Sequence, residues 1–222
     1  VYSEALESAI YTVAGINFPP DARLKSHISE DNYLVRFLHK YYLEDFHTTT
    51  LVYLLSFTAD SGDRPFLRLF FELLTARRPE LSELDGTLAG FRVYQEARSD
   101  GWIDILLINR TIGKAIIVEN KIYARDQDRQ LPKYYDEIRR RRYRSNENFR
   151  VPAVVYLSLD GHMPSFDGWN ENDRAILPLI CMAYDDESET SIRKGLLEKS
   201  LNIPECERVQ LLVKWYGEII ED

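Results

Sequence analysis

The sequence has little cysteine: two residues in 222, Cys181 and Cys206. They form no C-x-x-C pair, which excludes a disulfide framework and zinc-ligand spacing. A reducing, cytoplasmic setting is the expectation. Long hydrophobic runs are missing as well. None approaches the roughly 18 residues that span a bilayer, so no membrane partner is expected. The N-terminal stretch VYSEALESAIYTVAG has two Glu and no basic cluster, unlike a secretory signal. An initiator methionine is absent too. The sequence opens at Val1, so a trimmed chain or an excised domain of a larger parent is expected. Internal repeats and low-complexity segments are not found. Of the four histidines, His27, His39 and His162 have no ligand spacing.

What remains is an ordinary globular composition, 45% hydrophobic and 29% charged. The length suits one domain over 1–222, with a mainly helical part at 1–80, a sheet core at 88–190 and a C-terminal helix at 205–222. The net charge of −8 argues against nucleic acid as a partner, but its distribution does not. Between Arg110 and Arg150 stand 12 Lys/Arg against 6 Asp/Glu, leaving 16 basic and 30 acidic residues elsewhere. A basic island on an acidic protein meets phosphates through its local field.

The pattern along the chain predicts helices first. Tyr2 to Ala14 reads as one, followed by a loop through Pro19-Pro20. Apolar spacing over 31–58 and again over 64–74 predicts two more, with Pro65 in a first turn. A loop, RRPELSELDG, follows. Then come strand candidates: GFRVYQEA, WIDILLI, KAIIVENKI, VPAVVYLSL and AILPLICMAY. A polar helix is expected at 126–144 and a last one in CERVQLLVKWYGEII. Helices, three strands, helix, two strands and a helix describe an α/β fold with a mixed sheet.

The segment AIIVENKI carries an anomaly: Glu119 and Lys121 at the end of an apolar run. A charge in a core costs several kcal/mol unless paired or coordinated. With a four-residue loop at Arg110–Gly113, the two flanking strands pair so that Asp104 falls opposite Glu119, at about 4.5–5.5 Å between Cβ atoms. Alternation places Glu119 and Lys121 on one face and Val118 and Asn120 on the other. Two facing carboxylates repel unless something positive lies between them. Lys121 supplies part of that charge, and a divalent cation would supply more. Hard cations such as Mg²⁺ take one or two carboxylates plus water, lower the pKa of bound water and steady a phosphoryl oxygen. The bland alternative is a surface ion pair, the commonest fate of E-x-K on a strand.

Asp104-x14-Glu119-Asn120-Lys121 followed by Gln130-x3-Tyr134 resembles the PD-(D/E)XK nuclease superfamily. It is most similar to a bacterial branch with an I-E-N-K-I … Q-L-x-x-Y-Y signature. EDFHTTTLVYLL and VVYLSLDG resemble that branch's first helix and next strand. Ile103 stands where the superfamily name has Pro. The resemblance implies a restriction-endonuclease-like core with a central mixed sheet flanked by helices, and an N-terminal helical segment. It implies Mg²⁺- or Mn²⁺-dependent phosphodiester hydrolysis, with DNA the expected substrate. Asp104 and Glu119 would hold the metal, joined by the Asn120 carbonyl and by Glu44. Lys121 would handle the attacking water, and Gln130 and Tyr134 would help hold the site. A role in defence against foreign DNA also fits such relatives, though no residue here carries it.

Other candidates have equally good structural explanations. His47, three residues after Glu44, shares its helix face, yet Glu44 and Thr48–Thr50 also suit a helix start. Glu96 precedes the hairpin. RRRRYR, from Arg139 to Arg144, places cations at a helix C-terminus or on a phosphate-binding edge. Arg129, Lys133, Arg139, Arg140 and Arg142 are the nucleic-acid-binding candidates. Two other functions compete with a nuclease: a catalytically silent nucleic-acid-binding module, and a partner-dependent effector domain.

Overall fold

The structure, a computed structural model, describes residues 44–98, 102–122, 124–140, 149–166, 169, 173 and 176–221. Helices α1 (Glu44–Ser56) and α2 (Pro65–Arg77) come first, then a series of 3₁₀ turns (Pro79–Gly90). Strands β1 (Arg92–Arg98), β2 (Trp102–Asn109) and β3 (Lys114–Lys121) follow. Helix α3 (Gln130–Arg140) leads to β4 (Arg150–Ser158) and β5 (Leu179–Ala183). A π-helix (Ile192–Glu198), a 3₁₀ turn (Pro204–Val209) and α4 (Gln210–Glu221) close the chain. The expected helix at Tyr2–Ala14, the stretch 31–43 and Arg141–Arg144 lie outside the described residues.

The five strands form one sheet in the order β1-β2-β3-β4-β5. β1, β2 and β3 are antiparallel neighbours, whereas β3, β4 and β5 run parallel. This is the mixed α/β sheet expected from the sequence. Both faces are covered. Ile105, Leu107, Ile116, Val118, Val155 and Leu157 meet α1, α2, α4 and the π-helix in one core cluster. Leu106, Ile108, Ala115, Ile117, Val154 and Tyr156 meet Leu131, Tyr134 and Ile138 of α3 in the other. Burial on both sides explains why β2 and β3 read as unbroken apolar runs.

The turn that sets the hairpin register is built from Asn109 and Gly113. Asn109 Oδ1 accepts the N–H groups of Thr111 and Ile112 at 3.1 and 3.4 Å. Gly113 takes φ +60°, a conformation that strains other residues. Asn109 then pairs with Lys114, and Ile105 with Val118, as the four-residue loop requires.

Three elements differ from expectation. RRPELSELDG is wound into 3₁₀ turns because Leu81 and Leu84 are drawn into the first cluster. The polar helix starts only at Gln130, after a segment that includes Arg129 at φ +51°. The π-helix escaped the reading, although Ile192, Leu196 and Leu197 supply helical apolar spacing and are buried.

Gly195 tests how the π-helix packs. A Cβ there would lie 2.2 Å from Leu73 Cδ2 and 2.6 Å from the Glu189 carbonyl oxygen. Gly195→Ala is expected to destabilise by about 1–3 kcal/mol. Gly217→Ala in α4 meets nothing within 4 Å and should be neutral or stabilising by up to about 1 kcal/mol. Chemical denaturation of both variants checks this; equal effects would contradict the packing.

Candidate active site

β3 is flanked by β2 and β4, so its last residues have little freedom. Glu119 is in register with Tyr156 and Lys121 with Ser158. Glu119 is 1% exposed. Lys121 Nζ stands 2.9 Å from Glu119 Oε1. Glu119 Oε2 is buried without a hydrogen-bond partner among the described residues. Ser158 Oγ, in register beside Lys121, is likewise buried without a partner.

Asp104 approaches from β2. The β2–β3 ladder runs to Ile105 and Val118, one step short of pairing Asp104 with Glu119. Ile103 packs in the second cluster and Ile105 in the first, so strict alternation does not carry through Asp104. Instead Asp104 Oδ2 accepts the backbone N–H of Asn120 at 2.7 Å. This bond brings Asp104 to the strand end that bears Glu119 and Lys121.

The electrostatics follow from burial. Desolvation drives the Asp104 pKa up to about 6, against the lowering effects of the Asn120 N–H and Lys121. Desolvation and then the Asp104 charge push Glu119 well above the ordinary carboxylate range. Burial works against the Lys121 ammonium, but Glu119, Glu44 and Asp104 outweigh it and hold its pKa above the usual lysine value. Lys121 therefore stays a cation, yet one ammonium does not compensate the buried Glu119 and the half-buried Asp104 carboxylates.

Glu44, at the start of α1, lies beside the same strand end. Its Oε1 accepts the N–H groups of Ile122 at 3.0 Å and Ala124 at 3.1 Å. It thereby clamps the chain as it leaves β3. Among the described residues, no group of three His, Cys, Asp or Glu side chains converges as a metal cluster. The Glu44 charge nonetheless acts on Asp104, Glu119 and Lys121, raising the pKa of each. Asn120 points to the opposite face from Glu119, where its Nδ2 donates to Thr48 Oγ1 at 3.0 Å and to the Glu44 carbonyl at 3.2 Å.

Other candidates have separate places. His47 faces the core: its Nδ1 is 3.1 Å from the Tyr216 hydroxyl, and its ring meets Tyr184 edge-on. Thr48 and Thr50 do not cap the helix. Thr48 meets Asn120, and Thr50 Oγ1 donates to the Phe46 carbonyl at 2.8 Å. Gln130 Nε2 donates to the Tyr134 hydroxyl at 3.0 Å. Burial, then the Glu119 charge, raises the Tyr134 pKa, so this hydroxyl lies within electrostatic reach of the carboxylates. Arg129 is ion-paired with Asp173 at 2.9 Å. Lys133 donates to the Asp128 carbonyl at 2.5 Å. Arg139 lies over the Tyr135 ring at 5.0 Å, and Arg140 is 3.3 Å from Asp136. Arg142 and the Glu96 side chain lie outside the described residues.

The donor set suits a hard divalent cation. Glu119 is buried with its Oε2 lacking a hydrogen-bond donor, Asp104 is adjacent, and such cations need only one or two carboxylates. Sequence reasoning missed Thr48 as the tie to Asn120. It also missed Asp126, whose Oδ1 accepts the Tyr156 hydroxyl at 2.9 Å. A polar residue one helical turn after Glu44 was the available signal for Thr48; Asp126 had none beyond its loop position.

A family model described as the PD-(D/E)XK nuclease superfamily matches residues 23–201. No curated protein and no solved structure gives a match.

Two predictions follow from this geometry. In metal-free protein, folded Asp104 binds its proton more tightly than unfolded Asp104. Folding is then favoured below the ordinary aspartate value near 4 and loses stability as pH rises to about 6. The loss reaches about 2–3 kcal/mol. Thermal melts in EDTA should show it, and Asp104→Asn should flatten it. Mg²⁺ or Mn²⁺ should raise the midpoint at pH 7.5, and Glu119→Gln should abolish that rise; a midpoint indifferent to metal contradicts the assignment. Separately, Thr48→Val should destabilise by about 1–3 kcal/mol, because it strips a buried amide donor of its acceptor. A neutral result in urea denaturation would sever Thr48 from the site.

Proposed function

Because the chain belongs to the PD-(D/E)XK nuclease superfamily, we propose that it is a metal-dependent nuclease that hydrolyses phosphodiester bonds in DNA. The observation that carries this reading is the Glu119 carboxylate. It is buried, has no hydrogen-bond donor on Oε2, and stands beside Asp104 and Lys121. The restriction-endonuclease-like α/β sheet holds these groups at the carboxyl end of β3.

Asp104 and Glu119 hold the metal in this proposal, with the Asn120 carbonyl as a neutral ligand and Glu44 as an adjacent charge. Mg²⁺ or Mn²⁺, when bound, lowers the pKa of a coordinated water and neutralises a phosphoryl oxygen. Lys121 stays protonated beside the carboxylates. It orients the attacking water and balances charge that develops on the phosphate. Gln130 and Tyr134 form a wall over the carboxylates and limit how the strand enters. Lys133, Arg139, Arg140 and Arg129 supply phosphate contacts, with Arg129 exchanging its Asp173 partner on binding. We read residues 1–222 as a single nuclease domain.

The test is a cleavage panel. Supercoiled plasmid, linear duplex, single-stranded DNA and RNA are each incubated with protein and Mg²⁺, Mn²⁺ or EDTA. Metal-dependent cutting of DNA is expected, with losses of about 100-fold or more in Glu119→Ala and Lys121→Ala. DNA left intact by the wild-type protein with either metal would sink the proposal. Retained DNA binding in that case would favour a silent binding module.

A further inference from the structure

Ser158, the last residue of β4, is a hydroxyl buried where an alanine would cost less. It is 0% exposed, and among the described residues its Oγ has no hydrogen-bond partner. A buried hydroxyl left unpaired loses its hydration and gains nothing in return. The backbone of Ser158 is employed, since its carbonyl accepts the Tyr184 N–H at 2.8 Å. Its side chain is not used by the fold.

Strand alternation sets its direction. Tyr156 packs in the second core cluster and Leu157 in the first, so Ser158 returns to the second face. On β3, Ile117 packs in the second cluster, while Val118 and Ile122 pack in the first. Glu119 and Lys121 therefore lie on the same face as Ser158. Ser158 is in register with Lys121 on one side and with Ala183 on the other. Neighbouring strands run about 4.7–4.9 Å apart, and Ala183 offers only a methyl. Lys121 is the polar side chain directly beside the hydroxyl. It is 6% exposed, so water reaches little of its ammonium. An ammonium has three N–H donors, and Glu119 Oε1, at 2.9 Å, faces one of them. Glu119 is also the proposed metal ligand, so its oxygens are shared. Ser158 Oγ is a neutral acceptor with no competing donor.

Resting on the nuclease reading above, we propose that Ser158 is a positioning residue for Lys121: its Oγ accepts an N–H of the ammonium once Glu119 engages the cation. Held from the β4 side, the ammonium keeps its remaining donors for the attacking water and the phosphate. A hydroxyl suits this task better than another carboxylate, because it fixes the ammonium without adding negative charge beside Asp104 and Glu119. The unpaired hydroxyl is then a cost to the metal-free fold that serves the site, as expected where local stability and chemistry conflict.

The test follows the side-chain ammonium resonance of Lys121 by nuclear magnetic resonance, in the full chain labelled with isotopic lysine. Its loss in Lys121→Arg identifies it. Mg²⁺ should shift this resonance in the wild-type protein. Ser158→Ala and Ser158→Cys, which remove the strong acceptor, should abolish most of that shift; Ser158→Thr, which keeps a hydroxyl, should retain it. In EDTA, Ser158→Ala should leave the thermal midpoint unchanged or raise it, because the metal-free fold gives the hydroxyl no partner. With Mg²⁺ and DNA, Ser158→Ala should lower kcat by about 10-fold or more, the worth of a hydrogen bond to a charged group. KM and Mn²⁺ affinity should stay within twofold. A full Mg²⁺ shift in Ser158→Ala overturns the proposal. So does a midpoint in EDTA that falls in Ser158→Ala, which would make the hydroxyl structural. A wild-type resonance indifferent to Mg²⁺ removes this contact and the metal site together. Metal-dependent cleavage with a full shift in Ser158→Ala leaves the nuclease standing and removes the role of Ser158, whereas a hydroxyl-dependent shift without cleavage does the reverse.

Discussion

The structure depends on one constraint: a carboxylate placed by strand register where water does not reach it. Glu119 has no route outward, because β3 is hydrogen-bonded to β2 and β4 and packed on both faces. An ionised group so placed costs several kcal/mol unless paired or coordinated. Lys121 offsets part of that cost, yet burial and Asp104 still push Glu119 toward its proton. In the proposed function a divalent cation would resolve the conflict, and no hydrophobic contact would replace it. Strain of this kind is expected where a fold is built around chemistry rather than around stability alone.

The rest of the fold serves to keep that strand end in place. On one face, Asn120 reaches Thr48 and the Glu44 carbonyl, and Glu44 returns two hydrogen bonds to the chain beyond β3. On the other, α3 packs Tyr134, hydrogen-bonded to Gln130, within electrostatic reach of the carboxylates. Beyond β4, the Tyr156–Asp126–Ser165 chain of hydrogen bonds fastens the next loop. Asn120 is thus held from the α1 side, while Lys121 is tied to Glu119. A site defined to a fraction of an ångström needs such support from rigid elements.

Much of this was legible in the sequence. The hairpin register followed from local turn chemistry, because Asn109 and Gly113 admit few alternatives, and it brought Asp104 toward Glu119. The five strands and their mixed arrangement followed from apolar runs punctuated by turn residues. Less legible was whatever depends on long-range packing. Helical spacing grouped His47 with Glu44, but spacing does not tell how fast a helix leaves a site. Thr48 read as a cap because caps are local, whereas its partner is 72 residues away. The basic residues of α3 read as one free patch, while Asp173, Asp128, Asp136 and Tyr135 each engage one of them.

The central claim is that Glu119 and Asp104 are tolerated in the core because they hold a divalent cation. Titration of Mn²⁺ into the protein, followed by the loss of free-ion electron paramagnetic resonance signal, tests it without reference to activity. Saturable binding by the wild-type protein, lost in Glu119→Gln and competed by Mg²⁺, is the predicted result. Identical Mn²⁺ uptake by wild-type and Glu119→Gln protein, or none by the wild type at neutral pH, would contradict it.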